Sequence, residues 1–545
     1  MLKTIEKYPI LSICAIVAIM LLPNIDVLDV SIMEARNYIT AREMVTDGNW
    51  LFTTMNGEAR YEKPPLPTWL AALSGMVFGL KSLFALRLPA VLMIMVIGCF
   101  VFKLSNKILS NFRQSIINAL IVITSFYVIG IIIEAPWDIF THGFMLIAIY
   151  YLYDFFESQN KNYKIALLSG FFIGLSFMCK GPISIYALLL PFLLAYGFSY
   201  KYKALKSKVP LLLLILIISF IVGAWWFLYI RLMDHETFTT IAKRETGNWA
   251  NYNVRPFYYY WSFFTQSGLW TIPAFIGLLY PYLKSRVSNL KAYKLALFWT
   301  LFAIILLSVI PEKKSRYLMP VLIPLAINTG FYIEYLISNF KNLKDKREIL
   351  PAYFNFGLIA LIGIAFPIIS YVVLKDNLSG LWFWYLATSL LLFIIGILIF
   401  IQLKKKNISK VFLLTIAFFC SLLAFGLPLS NANKSDNYNP ISNLKLEVEQ
   451  QNIKIYAYDY VSPEVIWQFG DKIPSIKLDD ITLILPEEEK FGILANEIQP
   501  KDKELLQSLY NIEQISTYDL NVVPINDKKH KDRLLNHFYI LTRIP

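Results

Sequence analysis

Glu62 and Lys63 stand directly before Pro64 and Pro65, with Pro67 close behind, in the stretch NGEARYEKPPLPTW (56–69). Proline fixes φ and removes a backbone donor, and the residue before each proline is pushed toward extended geometry. The segment 62–65 is therefore stiff, and it holds a carboxylate and an ammonium at fixed positions. Such a pair suits a phosphate carried on a lipid, with or without a metal. Further groups of the same kind recur along the chain: Asp138 and His142 in EAPWDIFTHG (134–143), Lys180 in CKGP (179–182), and Lys313, Lys314 and Arg316 in PEKKSRYLMP (311–320). Together they could support glycosyl transfer from a polyprenyl-phosphate sugar. An acceptor hydroxyl or phosphate attacks the anomeric carbon and the lipid phosphate leaves. Lys63, Lys180, Lys313, Lys314 and Arg316 stabilise the charge that develops on it, and a carboxylate such as Asp138 takes the proton of a hydroxyl acceptor. A single displacement inverts the anomeric centre.

These residues need a membrane to place them. The 545-residue chain is 57% hydrophobic and 16% charged, and its apolar runs are long enough to cross a bilayer. Runs near 9–28, 88–106, 115–135, 139–156, 164–179, 182–200, 209–230, 262–283, 294–310, 317–338, 353–374, 380–403 and 411–429 make thirteen expected spans. Segment 66–80 is about 22 Å long as a helix, too short to span comfortably, and is expected to lie along the interface. Charge supports that choice: with 66–80 interfacial, 23 basic residues fall in loops on one side, which the positive-inside rule makes the cytoplasm. The opening stretch, Asp138, Lys180 and the 311–320 loop then share the opposite, outer face.

The net charge of +13 does not call for nucleic acid. From residue 430 onward there are 13 Lys+Arg against 18 Asp+Glu, so the excess sits in the membrane part and reports topology. Cys14, Cys99, Cys179 and Cys420 lie in apolar runs without metal-type spacing, so no disulfide framework is expected. The expected architecture is an α-helical polytopic membrane unit, 1–430, with a long first outer loop at 29–87 that carries interfacial helices. A small α/β unit follows at 431–545, with strands near 453–460, 481–486 and 537–542 and a helix near 500–510.

Taken singly, each residue has a plainer reading. An outer-loop lysine is commonly just solvated, Asp138 could cap a helix, His142 could pack near the bilayer surface, and the aromatic run YNVRPFYYYW (252–261) reads as an interfacial belt. Their convergence on one face is what favours a site.

The pattern EARNYITAREMVTDGNWLFTTMNGEARYEKPPLPTW (34–69), with Asp138, MCKGP (178–182) and KKSRYLMPVLIP (313–324), resembles the bacterial aminoarabinose transferases of lipid A and the wider protein-mannosyltransferase-like family. The resemblance implies the glycosyltransferase C fold, thirteen spans, interfacial helices in the first outer loop and a periplasmic C-terminal domain. It implies Glu62 as ligand of a divalent metal (Zn, Mg or Mn), Lys63 and Lys180 as phosphate contacts and Asp138 as the second-loop aspartate. The family's first-loop aspartate is missing, because Met33 precedes Glu34; Glu34 or Asp29 would have to replace it as base. The family's metal-binding histidine has only His235 as a nearby counterpart. The expected function is therefore sugar transfer from undecaprenyl phosphate to lipid A, an envelope glycan or a protein hydroxyl, at the periplasmic face of a bacterial inner membrane. The alternative is a transporter or flippase of lipid-linked sugars, which would place charged residues and Gly/Pro breaks near the bilayer midplane.

Overall fold

The computed structural model describes residues 2–134, 136–477 and 482–544. The chain is a multi-pass membrane protein. Among the described residues nine helices are long and apolar enough to cross a bilayer, and the pair Phe112–Ile123 and Phe126–Glu134, bent by 41°, makes up to a tenth. The expected spans at 9–28 and 182–200 are short apolar helices, Pro9–Leu21 and Ile185–Ser199. The expected span at 262–283 is not one helix but a 3-10 segment, Phe263–Trp270, followed by the short helices Thr271–Gly277 and Tyr280–Leu283. Its break has a local cause: Gly268 has φ 65, in the left-handed region that favours glycine.

Small residues let the helices around the cavity approach closely. Tyr163–Lys180 carries Gly170 and Gly174 against Val209–Met233, where an added Cβ at Gly170 would meet the Ile215 carbonyl oxygen at 2.8 Å. This small-xxx-small spacing is a common device of membrane helix pairs. The far side of Val209–Met233 exposes Leu213, Leu216, Ile217 and Phe220, as a lipid-facing surface should. Segment 66–80 forms the helix Leu66–Phe78, which starts at the prolines and leaves Leu73, Met76, Val77 and Phe78 exposed.

The helix Ile32–Thr46 begins with a capping box, Ser31 and Glu34 each bonding the other's backbone N–H. A hairpin follows, β1 (Thr54–Met55) and β2 (Glu58–Ala59). Its turn residues Asn56 (φ 60) and Gly57 (φ 81) take the positive angles that two-residue hairpins need. The Glu43 carboxylate accepts from the Asn56 N–H (2.7 Å), the Gly57 N–H (3.2 Å) and the Thr54 hydroxyl (2.6 Å), so the hairpin is tied to the helix before it.

The C-terminal part forms a four-stranded sheet from β3 (Ile455–Ala457), β4 (Lys490–Ala495), β5 (Tyr510–Asp519) and β6 (Leu535–Arg543), in the order β3-β4-β6-β5. The β3–β4 pair is parallel and the other two are antiparallel. The expected helix near 500–510 is Pro500–Leu509. At 481–486, residue 481 lies outside the described residues and Leu483 makes only an isolated bridge to Lys477.

This sheet unit docks on the first loop. Trp467 packs against Tyr38 at 5.4 Å between ring centroids, Lys472 pairs with Asp47 at 2.7 Å, and the Asn56 amide exchanges two hydrogen bonds with the Ile473 backbone, at 2.8 and 2.7 Å. Asn56→Ala removes both amide bonds and replaces asparagine, which tolerates the left-handed region, by alanine, which tolerates it less well. It is expected to cost about 1–3 kcal/mol and to speed limited proteolysis of the hairpin, read by the rate of band loss relative to wild type.

Candidate active site

A cavity of about 1110 Å³ opens where the first loop, the helix Pro136–Glu157, the end of Tyr163–Lys180, the helix His235–Asn251 and the 310–317 segment meet. Glu62, Lys63, Asp138, Lys180, Lys314 and Arg316 all line it. The prolines act as expected: Pro65 precedes the first turn of Leu66–Phe78, so Glu62 and Lys63 are held at the edge of a packed helix.

Most of these charges are paired. Lys180 bonds the Asp138 carboxylate, Arg244 bonds Glu62 at 2.6 Å, Lys63 meets Glu245 at 3.3 Å, and Lys314 meets Glu312 at 2.5 Å. Three guanidinium groups of the lining, on Arg36, Arg60 and Arg316, have no carboxylate within ion-pair distance among the described residues. Arg60 donates to the Arg36 carbonyl (2.6 Å) and the Thr40 hydroxyl (2.7 Å), and lies over the Trp137 ring at 5.2 Å. Burial lowers its pKa to about 10, so it remains charged at neutral pH.

Six lining residues also hold a buried polar atom with no partner among the described residues: Arg36 Nε, Glu62 Oε2, Trp137 Nε1, Asp138 Oδ2, His142 Nδ1 and Arg316 Nε. Buried polar groups are nearly always hydrogen-bonded. Six unpartnered ones around one cavity mark a place built for a polar ligand.

Four of the expected residues stand apart from the cavity lining. Glu34 is fully buried, its carboxylate accepting from Arg87 Nε (2.7 Å) and Nη2 (3.1 Å), the Ser31 N–H (3.0 Å) and the Tyr38 hydroxyl (3.1 Å). With two N–H donors from one guanidinium, a capping bond and a phenol it is a structural group, not a free base. Asp29 is bonded to Lys434 at 3.1 Å and Tyr438 at 3.3 Å at the junction with the C-terminal part. Lys313 is buried and spends its ammonium on the carbonyls of Arg255 (3.1 Å) and Ile310 (2.5 Å); burial lowers its pKa. His235 is exposed at the start of the helix His235–Asn251.

The divalent metal finds no matching ligands. Among the described residues no three His, Cys, Asp or Glu side chains converge, and of the two expected ligands Glu62 is held by Arg244 while His235 lies outside the cavity. The residues present do not fit a metal ion.

Several known proteins resemble this chain in sequence or fold. Residues 62–226 match the family model described as dolichyl-phosphate-mannose-protein mannosyltransferase. An uncharacterized protein of Aquifex aeolicus is 25% identical over 375 residues, covering 65% of this chain and 72% of that protein. The undecaprenyl phosphate-alpha-4-amino-4-deoxy-L-arabinose arabinosyl transferase 1 of Proteus mirabilis is 26% identical over 377 residues, covering 64% of this chain and 65% of that enzyme. The chain thus spans just under two thirds of this named relative. The crystal structure of ArnT from Cupriavidus metallidurans bound to undecaprenyl phosphate superposes with a TM-score of 0.66 over 97% of both chains, at 13% identity. The chain has the glycosyltransferase C fold of the aminoarabinose transferases. Its sequence resembles their family and the wider mannosyltransferase-like group.

Within that fold, several cavity residues were not singled out by sequence reasoning. Arg36 and Arg60 are in the quoted first-loop pattern, but nothing in their spacing marks them as unpaired. Arg244 and Glu245 reach Glu62 and Lys63 from 182 residues away, a pairing that only the fold creates. His142, read from the sequence as a packing residue, is buried and faces the cavity with a free ring nitrogen.

Proposed function

We propose that the chain is a membrane glycosyltransferase that moves a sugar from undecaprenyl phosphate to an acceptor at the periplasmic face of a bacterial inner membrane. One observation carries this reading: unpaired guanidiniums and unpartnered buried polar atoms surround a single cavity in a chain with this fold. Residues 1–430 form the transferase unit and residues 431–545 a periplasmic unit seated on its first loop, with the N-terminus cytoplasmic.

In this reading Arg36, Arg60 and Arg316 take the donor phosphate, since they are the lining cations with charge to spare. Lys63, Lys180 and Lys314 border the same charge while anchored to Glu245, Asp138 and Glu312. As the sugar–phosphate bond breaks, these preorganised cations stabilise the leaving phosphate more than they stabilise the bound donor, which is what lowers a barrier. Asp138 gives one oxygen to Lys180 and keeps Oδ2 for the sugar, beside the free nitrogens of Trp137 and His142.

The test is a proteoliposome assay with labelled undecaprenyl-phosphate sugars, including the 4-amino-4-deoxyarabinose donor, and an envelope fraction as acceptor. Lys63→Ala and Asp138→Asn are each expected to lower transfer by about 100-fold or more while the protein stays folded in the membrane. Unchanged turnover in both removes the site assignment, and no transfer by wild type from any such donor removes the function.

A further inference from the structure

We propose that the acceptor is a hydroxyl group and that the Glu134 carboxylate takes its proton, an inference that rests on the transferase reading above. The first support is charge. Among the described residues seven Lys and Arg side chains and six carboxylates line the cavity, a surplus of one positive charge. A phosphodiester of an uncharged sugar carries one negative charge and alone neutralises the site, while an amino-sugar donor, whose ammonium cancels that charge, leaves a single positive charge. A phosphate-monoester acceptor would add about 1.5 to 2 negative charges at neutral pH, and uncompensated charge in a protein-walled site is costly. A hydroxyl acceptor adds none, but it needs a base.

The second support is the pairing of the carboxylates. A carboxylate bonded to an ammonium or guanidinium is already committed to that partner and is less free to receive a proton from a substrate. Asp138, Glu62, Glu245 and Glu312 are each held by Lys or Arg. Among the described residues, Glu58 and Glu134 are the lining carboxylates without such a partner. Both are exposed, and Glu58, on β2, has no side-chain bond among the described residues to fix it. Glu134 is different, because the Tyr127 hydroxyl, about two turns back on the same face of the helix Phe126–Glu134, donates to it and orients it. The Ser31 hydroxyl donates to the neighbouring Ile133 carbonyl at 2.5 Å, which pins the start of Ile32–Thr46 beside it. Ile32 and Met33 of that helix line the cavity as well. Glu134 is thus a held, cation-free carboxylate on the cavity wall, four residues before Asp138.

The step balances simply. The acceptor oxygen bonds to the anomeric carbon as the bond from that carbon to the phosphate oxygen breaks, and the electron pair leaves with the phosphate. The hydroxyl proton passes to Glu134 and from there to solvent.

Full-length protein in proteoliposomes, labelled undecaprenyl-phosphate sugar and an envelope fraction provide the test. After unreacted donor is extracted, the product is treated with mild acid, which cleaves glycosyl phosphates and spares glycosides. An acid-stable product is expected. Glu134→Gln is expected to lower its rate by about 100- to 10,000-fold, with undecaprenyl phosphate binding as in wild type. An acid-labile product overturns the inference, as does a Glu134→Gln variant at wild-type rate, one that no longer binds undecaprenyl phosphate, or loss of rate in Glu58→Gln instead. All of these leave the transferase function intact; absence of any product from wild type would remove both.

Discussion

Arg316→Ala is expected to lower sugar transfer by about 100- to 1,000-fold and to leave the amount of folded protein unchanged. The two halves of this expectation have separate causes. Among the described residues the guanidinium has a buried Nε without a partner and no carboxylate within ion-pair distance, so its charge is uncommitted and available to a ligand. For the same reason its loss breaks no ion pair among the described residues; the guanidinium lies 5.9 Å from the centre of the Tyr317 ring. Arg316→Lys should recover only part of the rate, because a single ammonium cannot reproduce a planar fork on phosphate. Single-turnover rates, with size-exclusion profiles of the purified variants, check both halves. A variant that transfers normally would take Arg316 out of the site, and one that aggregates would make it structural.

Glu34→Ala should do the reverse, acting on stability first. Its carboxylate and Arg87 are 0% and 1% exposed and form a bidentate pair, and Arg87 also donates to the Ile25 carbonyl at 2.6 Å. Removing one partner of such a buried pair leaves the other charge stranded and costs about 3–5 kcal/mol. The same change removes half of the capping box that starts Ile32–Thr46. A lower thermal unfolding midpoint in detergent is the expected result. If Glu34→Ala instead unfolds like wild type and fails only in transfer, the acid would be a base after all.

What the sequence revealed was placement, and the reasons are physical. Prolines 64, 65 and 67, long apolar runs and the one-sided distribution of lysines constrain which segments share a face, so Glu62, Lys63, Asp138, Lys180, Lys314 and Arg316 are found around one cavity. Pairing was not legible. Whether a lysine is free or spent depends on partners such as Glu245, which lies 182 residues from Lys63, and Lys313 differs from Lys314 only in pointing at backbone carbonyls instead of the cavity. The same limit hid Arg36 and Arg60, whose importance lies in having no carboxylate within ion-pair distance among the described residues. Helix continuity is not legible from composition either: 9–28 and 182–200 hold only short apolar helices, 112–134 is bent, and a backbone turn at Gly268 divides 262–283. The docking of the C-terminal sheet on Asn56 and Asp47 had no local signal, since a single asparagine in a hairpin turn does not announce a partner more than 400 residues away.

The most direct test of the whole account is an experimental structure of the wild-type protein in lipid nanodiscs with undecaprenyl phosphate. The phosphate is expected in the cavity, with its oxygens at about 3 Å from guanidinium nitrogens of Arg316 and of Arg36 or Arg60, and with the prenyl chain leaving toward lipid. A phosphate bound elsewhere, with these three arginines untouched, would contradict it.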